Sequence, residues 1–372
     1  MTFTAYSAEE LGEKIREQKK HLTPTLVLAF ASPFLDIGNS HKALQEAGCS
    51  VFGASTAGEI LSGNDSLQVL EQSVVCCLLD PDPSAFFVRL FKREDLSSFE
   101  LGRQAGTWGA GCFEQPAFLM VVSGLTNDTE AIIRGMTECL PSGTKIAGGI
   151  AADDHAFEQT FTFSHADMTD DGIVVLAMDS NRISLSSLTT SGWTGIGVEM
   201  TVTSSQGNVV KSIDGRRPVD LVSDYLGIRK EDVIATALNF PMLVRRIDGS
   251  EVLRTALSVD YETGALTYAG GIPERSKIRF SSSFGIETIE STISDIKEYY
   301  QAHSEADLIL LFDCVARHEA AGRWVNDEIG IISQLWKVPV IGFFTYGEIG
   351  HSCKGMCDVY NETLSLAILK FV

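Results

Sequence analysis

The feature of this sequence that most restricts its folding is a glycine-framed corner written more than once. Near the C-terminus an apolar, β-branched run enters Gly342-Phe343-Phe344-Thr345-Tyr346-Gly347-Glu348-Ile349, and far upstream stands Gly53-Ala54-Ser55-Thr56-Ala57-Gly58-Glu59-Ile60. Both read G-x4-G-E-I. A weaker copy, Gly148-Gly149-Ile150-Ala151-Ala152-Asp153-Asp154, carries aspartates where the second glycine and the glutamate stand. The surroundings repeat as well. An apolar strand and a helix precede each copy (strands Thr25–Ala31, Phe118–Gly124 and Leu308–Cys314), and another apolar strand follows it (Ser73–Leu79, Gly172–Met178 and Thr363–Leu369). A pattern that repeats together with its context predicts one strand–helix–strand–strand unit used three times.

Around these units the chain reads as follows. Ser7 and Glu10 fit a capping box that opens a helix over 7–21, with Leu11, Ile15 and Leu22 on its apolar stripe. A strand over Ala85–Phe91 and a helix over Leu96–Gly109 lead into the second unit. The helix of that unit starts at Asn127 or Asp128, turns Ile132, Ile133, Met136 and Leu140 inward, and stops at Pro141 and Gly143. From Arg182 the texture changes: Ile183–Ser191 and Met200–Ser205 alternate apolar with Ser or Thr, the period of half-buried antiparallel strands. A helix over Pro218–Leu226 follows, then strands Met242–Ile247, Val252–Asp260 and Gly264–Ala269, joined by hairpin turns at Asp248-Gly249 and Glu262-Thr263-Gly264. Strand Ile278–Phe284 and helix Ile286–Tyr300 look like the pair over Ala85–Gly109, and so are expected to lead into the third unit in the same way. The expected fold is mixed α/β of the α+β kind: mostly antiparallel sheets covered by helices, in two packed domains, 1–200 and 201–372.

Charge excludes some partners. The 49 Asp and Glu against 29 Lys and Arg give a formal charge of −20, a field that repels nucleic acid and anionic lipid. Neither nucleic acid nor membrane is an expected partner. No signal pattern or membrane-length apolar run is legible, so a cytoplasmic location is expected. Three of the eight cysteines, Cys76, Cys77 and Cys314, sit inside apolar strands, where a thiol acts as a small hydrophobe rather than half of a disulfide.

The corners are the first candidates for chemistry. Glycine lets backbone N–H groups approach a ligand, but G-x4-G-E has neither the Lys-Ser/Thr tail of a phosphate loop nor a G-x-G-x-x-G. Two readings stand: a tight turn between paired strands, or a cavity wall presenting Thr345, Tyr346 and Glu348 with Ser55, Thr56 and Glu59. The densest polar stretch at a core strand's end is Asp313-Cys314-Val315-Ala316-Arg317-His318. Arg317 suits a carboxylate, since its planar fork binds two oxygens at once; the alternative is a structural ion pair with Glu348, Asp313 or Glu328. Cys314 with His318 could be a thiolate and its base, and Asp153-Asp154-His155 could do acid–base work, which would make the chain an enzyme. His351, Cys353 and Cys357 resemble half of a zinc site at unusual spacing, for which a polar loop is the simpler account. No metal is expected.

Taken together, Gly53–Glu59, Gly148–Asp154, Phe312-Asp313-Cys314-Val315-Ala316-Arg317, Phe343–Gly350 and Asn361-Glu362-Thr363 resemble the FIST family, a bacterial family with an N-terminal FIST domain and a FIST C domain. The resemblance covers nearly the whole chain. It implies a sensory module that binds a small molecule, such as an amino acid or other carboxylate, and passes the signal to a separate protein, a histidine kinase or chemotaxis component. It also implies an alternative, a haem-binding nitric oxide sensor regulating a kinase, with His155, His318 or His351 as the candidate axial ligand. No cofactor is otherwise expected. The ligand-binding residues expected are Arg317, Thr345, Tyr346, Glu348, Asp313, Cys314, Ser55, Thr56 and Glu59.

Overall fold

In a computed structural model of the chain, which describes residues 1–62, 67–237, 239–246, 249–282, 285–351 and 357–372, the repeated pattern folds as three copies of one sheet. In the first repeat an outer strand (Thr2–Ala5) and a helix (Ala8–Gln18) precede the central strand Leu26–Ala31. A second helix (Ile37–Gln45) then leads to strand Ser50–Ser55, parallel to the central one, and Val74–Leu79 returns antiparallel between outer and central strands. The second repeat runs the same course through Phe86–Lys92, Ser98–Ala110, Pro116–Ser123, Thr129–Thr137, Ile146–Ile150 and Gly172–Asp179. The third uses Ile183–Thr190, Ile286–Ala302, Leu308–Cys314, Val325–Trp336, Val340–Thr345 and Leu364–Phe371. The architecture is mixed α/β, and most strand pairs are antiparallel.

Local sequence accounts for these elements. Every residue of the three central strands is buried, because helices cover one face and neighbouring sheets the other, so the strands read as unbroken apolar runs rather than alternations. Helix starts carry caps, the expected ones at Ser7, whose Oγ accepts from Glu10 N at 3.1 Å, and at Asp128 before Thr129, and a further capping box between Ser97 and Glu100. Each such cap satisfies a backbone donor that would otherwise be orphaned.

One expectation is corrected. The outer strand of the third repeat is Ile183–Thr190, which pairs with Leu364–Phe371, and not the strand before helix Ile286–Ala302. That strand, Lys277–Ser282, belongs to a seven-stranded sheet spanning Thr194–Ser282 and inserted between the outer strand and its helix. Adjacency in sequence suggested the wrong partner because the insertion separates two elements that are neighbours in the other repeats. The inserted sheet has its own core, including Val202, Ile213, Val244, Tyr268 and Phe280. The predicted strand ends at Ile247, Ser283 and Phe284, the turn residue Asp248, and Cys353 lie outside the described residues.

The glycine corners are not hairpins. Strand Ser50–Ser55 lies in the first sheet, but after the corner Glu59–Ser62 joins the third, antiparallel to Val340–Thr345. That strand in turn feeds Glu348–His351 into the second sheet, beside Ile146–Ile150. Ile146–Ile150 then sends Thr162–Ser164 into the first, beside Ser50–Ser55. Each repeat therefore lends a short ladder to another, and the exchange closes in a ring. Backbone bonds fasten the corners: Phe344 N donates to Gly58 O (2.9 Å), Ile150 N to Gly347 O (2.8 Å) and Ala152 N to Ser55 O (3.1 Å). Such close approach excludes side chains, and a Cβ on Gly53 would lie 2.0 Å from the Phe163 ring. At the centre, Phe30, Phe52, Leu119, Leu310, Phe312 and Phe343 from all three sheets share one apolar cluster.

Candidate functional site

The corner glutamates are buried in matching settings. Glu59 Oε1 accepts from Thr56 Oγ1 at 2.5 Å, and its Oε2 accepts from Ser73 N and Oγ at 3.1 and 2.7 Å. Glu348 Oε1 accepts from Thr345 Oγ1 at 2.5 Å and Oε2 from Thr363 Oγ1 at 2.6 Å. Each carboxyl thus ties its corner to the start of the returning strand. Burial pushes Glu59 up to about 7 despite the Thr56 and Ser73 bonds, and pushes Glu348 well above the ordinary carboxyl range. Ser55 performs a related task, donating through Oγ to Ala152 O at 2.8 Å and accepting from Phe161 N at 2.8 Å.

Tyr346 faces the second corner. Its hydroxyl donates to Asp153 Oδ1 at 2.5 Å, and the Asp153 carboxylate also accepts from the backbone N–H groups of Phe157, Glu158 and Gln159. Asp153 is thereby spent on shaping its own loop. The Tyr346 ring stacks on Phe157, with centroids 4.7 Å apart, and the neighbouring His155 Nε2 pairs with Glu319 at 3.0 Å.

At the end of the central strand of the third repeat the polar groups are less well matched. Arg317 is wholly buried: it pairs with Glu328, donates to Ser191 O at 2.5 Å and to Thr292 Oγ1 at 3.0 Å, and lies over the Trp193 ring at 5.1 Å. It therefore fastens the chain leading into the inserted domain (Ser191, Trp193) to the helix that follows that domain (Thr292). Burial opposes its charge, yet Glu328 and Asp313 hold the guanidinium firmly protonated. Its Nε stays unpaired, 4.0 Å from Asp313 Oδ1. Asp313 is 0% exposed, and neither of its carboxyl oxygens has a hydrogen-bond partner. Burial, reinforced by the charge of Glu328, raises it well above the ordinary range. Cys314 is also buried, and its thiol is pushed up by burial and by Glu348 and Glu362, the opposite of what a nucleophile needs. His318 lies flat on Phe344 at 4.1 Å.

Glu362 completes this group from the turn before strand Leu364–Phe371. Its Oε1 accepts from Thr255 Oγ1 of the inserted domain at 2.7 Å, whereas Oε2 has no partner. Burial pushes it up to about 7. Beside it, wholly buried Arg254 crosses the same seam, donating to Glu130 Oε1 at 2.6 Å and to Asn361 Oδ1 at 3.3 Å. Glu130 also takes Arg246 at 2.8 Å and Gly271 N at 2.9 Å. Burial works against its charge, but Arg254 and Arg246 outweigh that and hold it below the usual range. The inserted domain is thus anchored to the second repeat through Glu130 and to the third through Glu362.

Of the residues singled out in the sequence, the structure gathers Asp313, Cys314, Arg317, Thr345 and Glu348 at one end of the third sheet. Ser55, Thr56 and Glu59 lie across strand Val340–Thr345 from them, and Tyr346 turns to the second corner. Thr255 and Arg254 were not legible, because a short strand of an inserted domain gives no sign of which seam it meets. Glu362 carried a signal in its motif with Asn361 and Thr363, but no role.

The haem alternative does not fit these residues. His351 Nε2 already accepts from Ile146 N at 3.0 Å, His318 is stacked on Phe344, and His155 is engaged by Glu319. A cavity of about 20 Å³, roughly the room one water needs, lies within the inserted domain among Val222, Leu226, Phe240 and Tyr268, with no histidine in its lining. Among the described residues no three His, Cys, Asp or Glu side chains are placed to share a metal ion, and no helix is long and apolar enough to cross a membrane.

Comparison with known families agrees with the motif resemblance. The model of the FIST N domain matches residues 25–216, and that of the FIST C domain matches residues 218–351. No curated protein matches the chain.

Proposed function

The chain belongs to the FIST family, whose domains are sensory domains, and on that footing we propose that it binds a small polar ligand at the seam between its third repeat and its inserted domain. The observation that carries this reading is Asp313, a fully buried carboxyl with neither oxygen bonded. Buried polar groups are almost always satisfied, and leaving one unmet costs about 1–3 kcal/mol, more when it is charged. Such a group can take hydrogen-bond donors that the chain itself does not supply. Arg317 Nε supplies a donor 4.0 Å away, and next to Asp313 Cys314 pairs in register with Thr345, whose hydroxyl donates to Glu348. An amino acid, or another small molecule that brings hydrogen-bond donors, has the complementary groups. Thr56, Glu59, Ser55 and Tyr346 link this wall to the other two corners, so that a change at Asp313 reaches all three repeats through the ring.

The signal would pass to a separate protein, a histidine kinase or chemotaxis component, through movement of the inserted domain. Its connection at Ser191–Trp193 is held by the same arginine that faces the site. A thermal-shift screen with amino acids and organic acids, followed by calorimetry on the hits, tests the reading. It predicts at least one saturable hit whose affinity falls in an Asp313→Asn variant. Hits that bind that variant and the parent alike would place the ligand elsewhere.

A further inference from the structure

We propose that the group recognised at the seam is a primary ammonium, held between Asp313 and Glu362. This rests on the ligand-sensing reading above and adds the chemical class of the ligand. The argument starts from unmet hydrogen-bonding capacity. Four buried acceptor oxygens in this cluster are open, Oδ1 and Oδ2 of Asp313, Oε2 of Glu362 and Oε2 of Glu328, against two donor nitrogens without a partner, Arg317 Nε and, beside Glu362, Arg254 Nε. The two terminal nitrogens of the Arg317 guanidinium are turned to Glu328, Ser191 O and Thr292. What the site lacks is therefore donors, together with positive charge. A ligand carboxylate would bring the reverse, adding acceptors beside carboxyls that already repel one another.

An ammonium offers three N–H donors on a compact head and no acceptor. The chemistry also separates it from a metal ion, since no three ligating side chains among the described residues are placed to share one. Charge alone would be weak evidence, because acidic clusters abound on a chain of charge −20. Burial is the second and independent observation: Asp313 and Glu362 are both 0% exposed. An unpaired carboxyl in that setting is disfavoured unless a counter-group or a proton arrives. Glu362 also reaches across the seam to Thr255, so a cation drawn to it sits where the inserted domain meets the core, and entry requires that seam to part.

The test uses the full chain and matched probes: methylammonium and ethylammonium chloride, the common amino acids, and the N-acetylated form of each amino acid. Thermal shift should rise by a few degrees with one or more free amines and not with the acetylated partners. Calorimetry should show binding of the amine weakened about tenfold or more in Asp313→Asn and in Glu362→Gln, with a smaller loss in Thr255→Val. The comparison of free and acetylated probes needs no variant, so a misfolded variant leaves the test intact. Binding of an acetylated probe as tightly as its free amine, or amine binding unchanged in both carboxyl variants, overturns the inference. Organic acids that bind where amines do not would sink the ammonium assignment while leaving the sensory reading standing. Silence from both classes sinks the two together.

Discussion

The first and third repeats share a scaffold and differ in charge. Ala31 pairs with Val74 and Ser55 as Asp313 pairs with Leu364 and Phe344, so the two occupy the same position at the end of the central strand; Val122 holds it in the second repeat. All three are fully buried. The turns before the returning strands match too: Gln72 and Glu362 both adopt left-handed backbone, with φ of 53° and 56°, yet Gln72 is exposed and Glu362 buried. Corner glutamates Glu59 and Glu348 are fully bonded in both repeats, so a buried glutamate there is part of the architecture. Asp313 and Glu362 are not. The shared features hold the ring together, and what the third repeat adds against the inserted domain has no counterpart in the first.

That contrast can be broken most forcefully by exchanging the two environments. Ala31→Asp buries a carboxyl where no arginine faces it, and should cost about 3 kcal/mol or more in chemical denaturation; a variant as stable as the parent would show that an aspartate there means nothing special. Glu328→Ala strips buried Arg317 of its ion-pair partner and should cost about 3–5 kcal/mol, with loosening around Ser191–Trp193 visible by hydrogen exchange. A smaller cost would mean that Thr292 and the Ser191 carbonyl suffice.

The pH dependence comes next in size. Glu59 and Glu362, raised by burial from 4.5 to about 7, favour the protonated fold, so the stability present below pH 4.5 is lost as pH climbs toward 7 and levels off beyond it. The melting temperature should therefore fall between pH 5 and pH 8, and Glu362→Gln should flatten part of that slope. A melting temperature that climbs over the same range would refute the assignment. The mildest change is Asp313→Ala, which gives the third repeat what the first already has. Because it removes an unmet buried carboxyl while Arg317 keeps Glu328, it should leave stability unchanged or raise it by about 1 kcal/mol, while abolishing ligand response. Measurable destabilisation would recast Asp313 as a structural member of the Arg317 pair.

Much of the repeat was legible because its signals are local. Unbroken apolar runs, caps at Ser7 and Asp128, and the G-x4-G-E-I spacing each act within a few residues. The grouping of Asp313, Cys314 and Arg317 with Thr345 and Glu348 followed from placing strand ends of one unit side by side. Arg317 was anticipated either as a ligand clamp or as a member of an ion pair with Glu348, Asp313 or Glu328, and three of its contacts, to Glu328, Ser191 O and Thr292, are accounted for inside the protein. Thr255 and Arg254 escaped notice, and Glu362 had no role assigned, because their importance is relational: each matters through a partner more than 100 residues away.

The sequence by itself determined the mixed α/β class and the threefold repetition, since periodicity and glycine spacing constrain the backbone before any tertiary contact forms. Only the tertiary structure decided that the corners pass their strands from sheet to sheet in a ring, that Ile183–Thr190 rather than Lys277–Ser282 completes the third repeat, and that both oxygens of Asp313 and one of Glu362 are buried without a hydrogen bond. Strand pairing and electrostatic satisfaction depend on which distant surfaces meet, and that information resides in no single stretch of the chain.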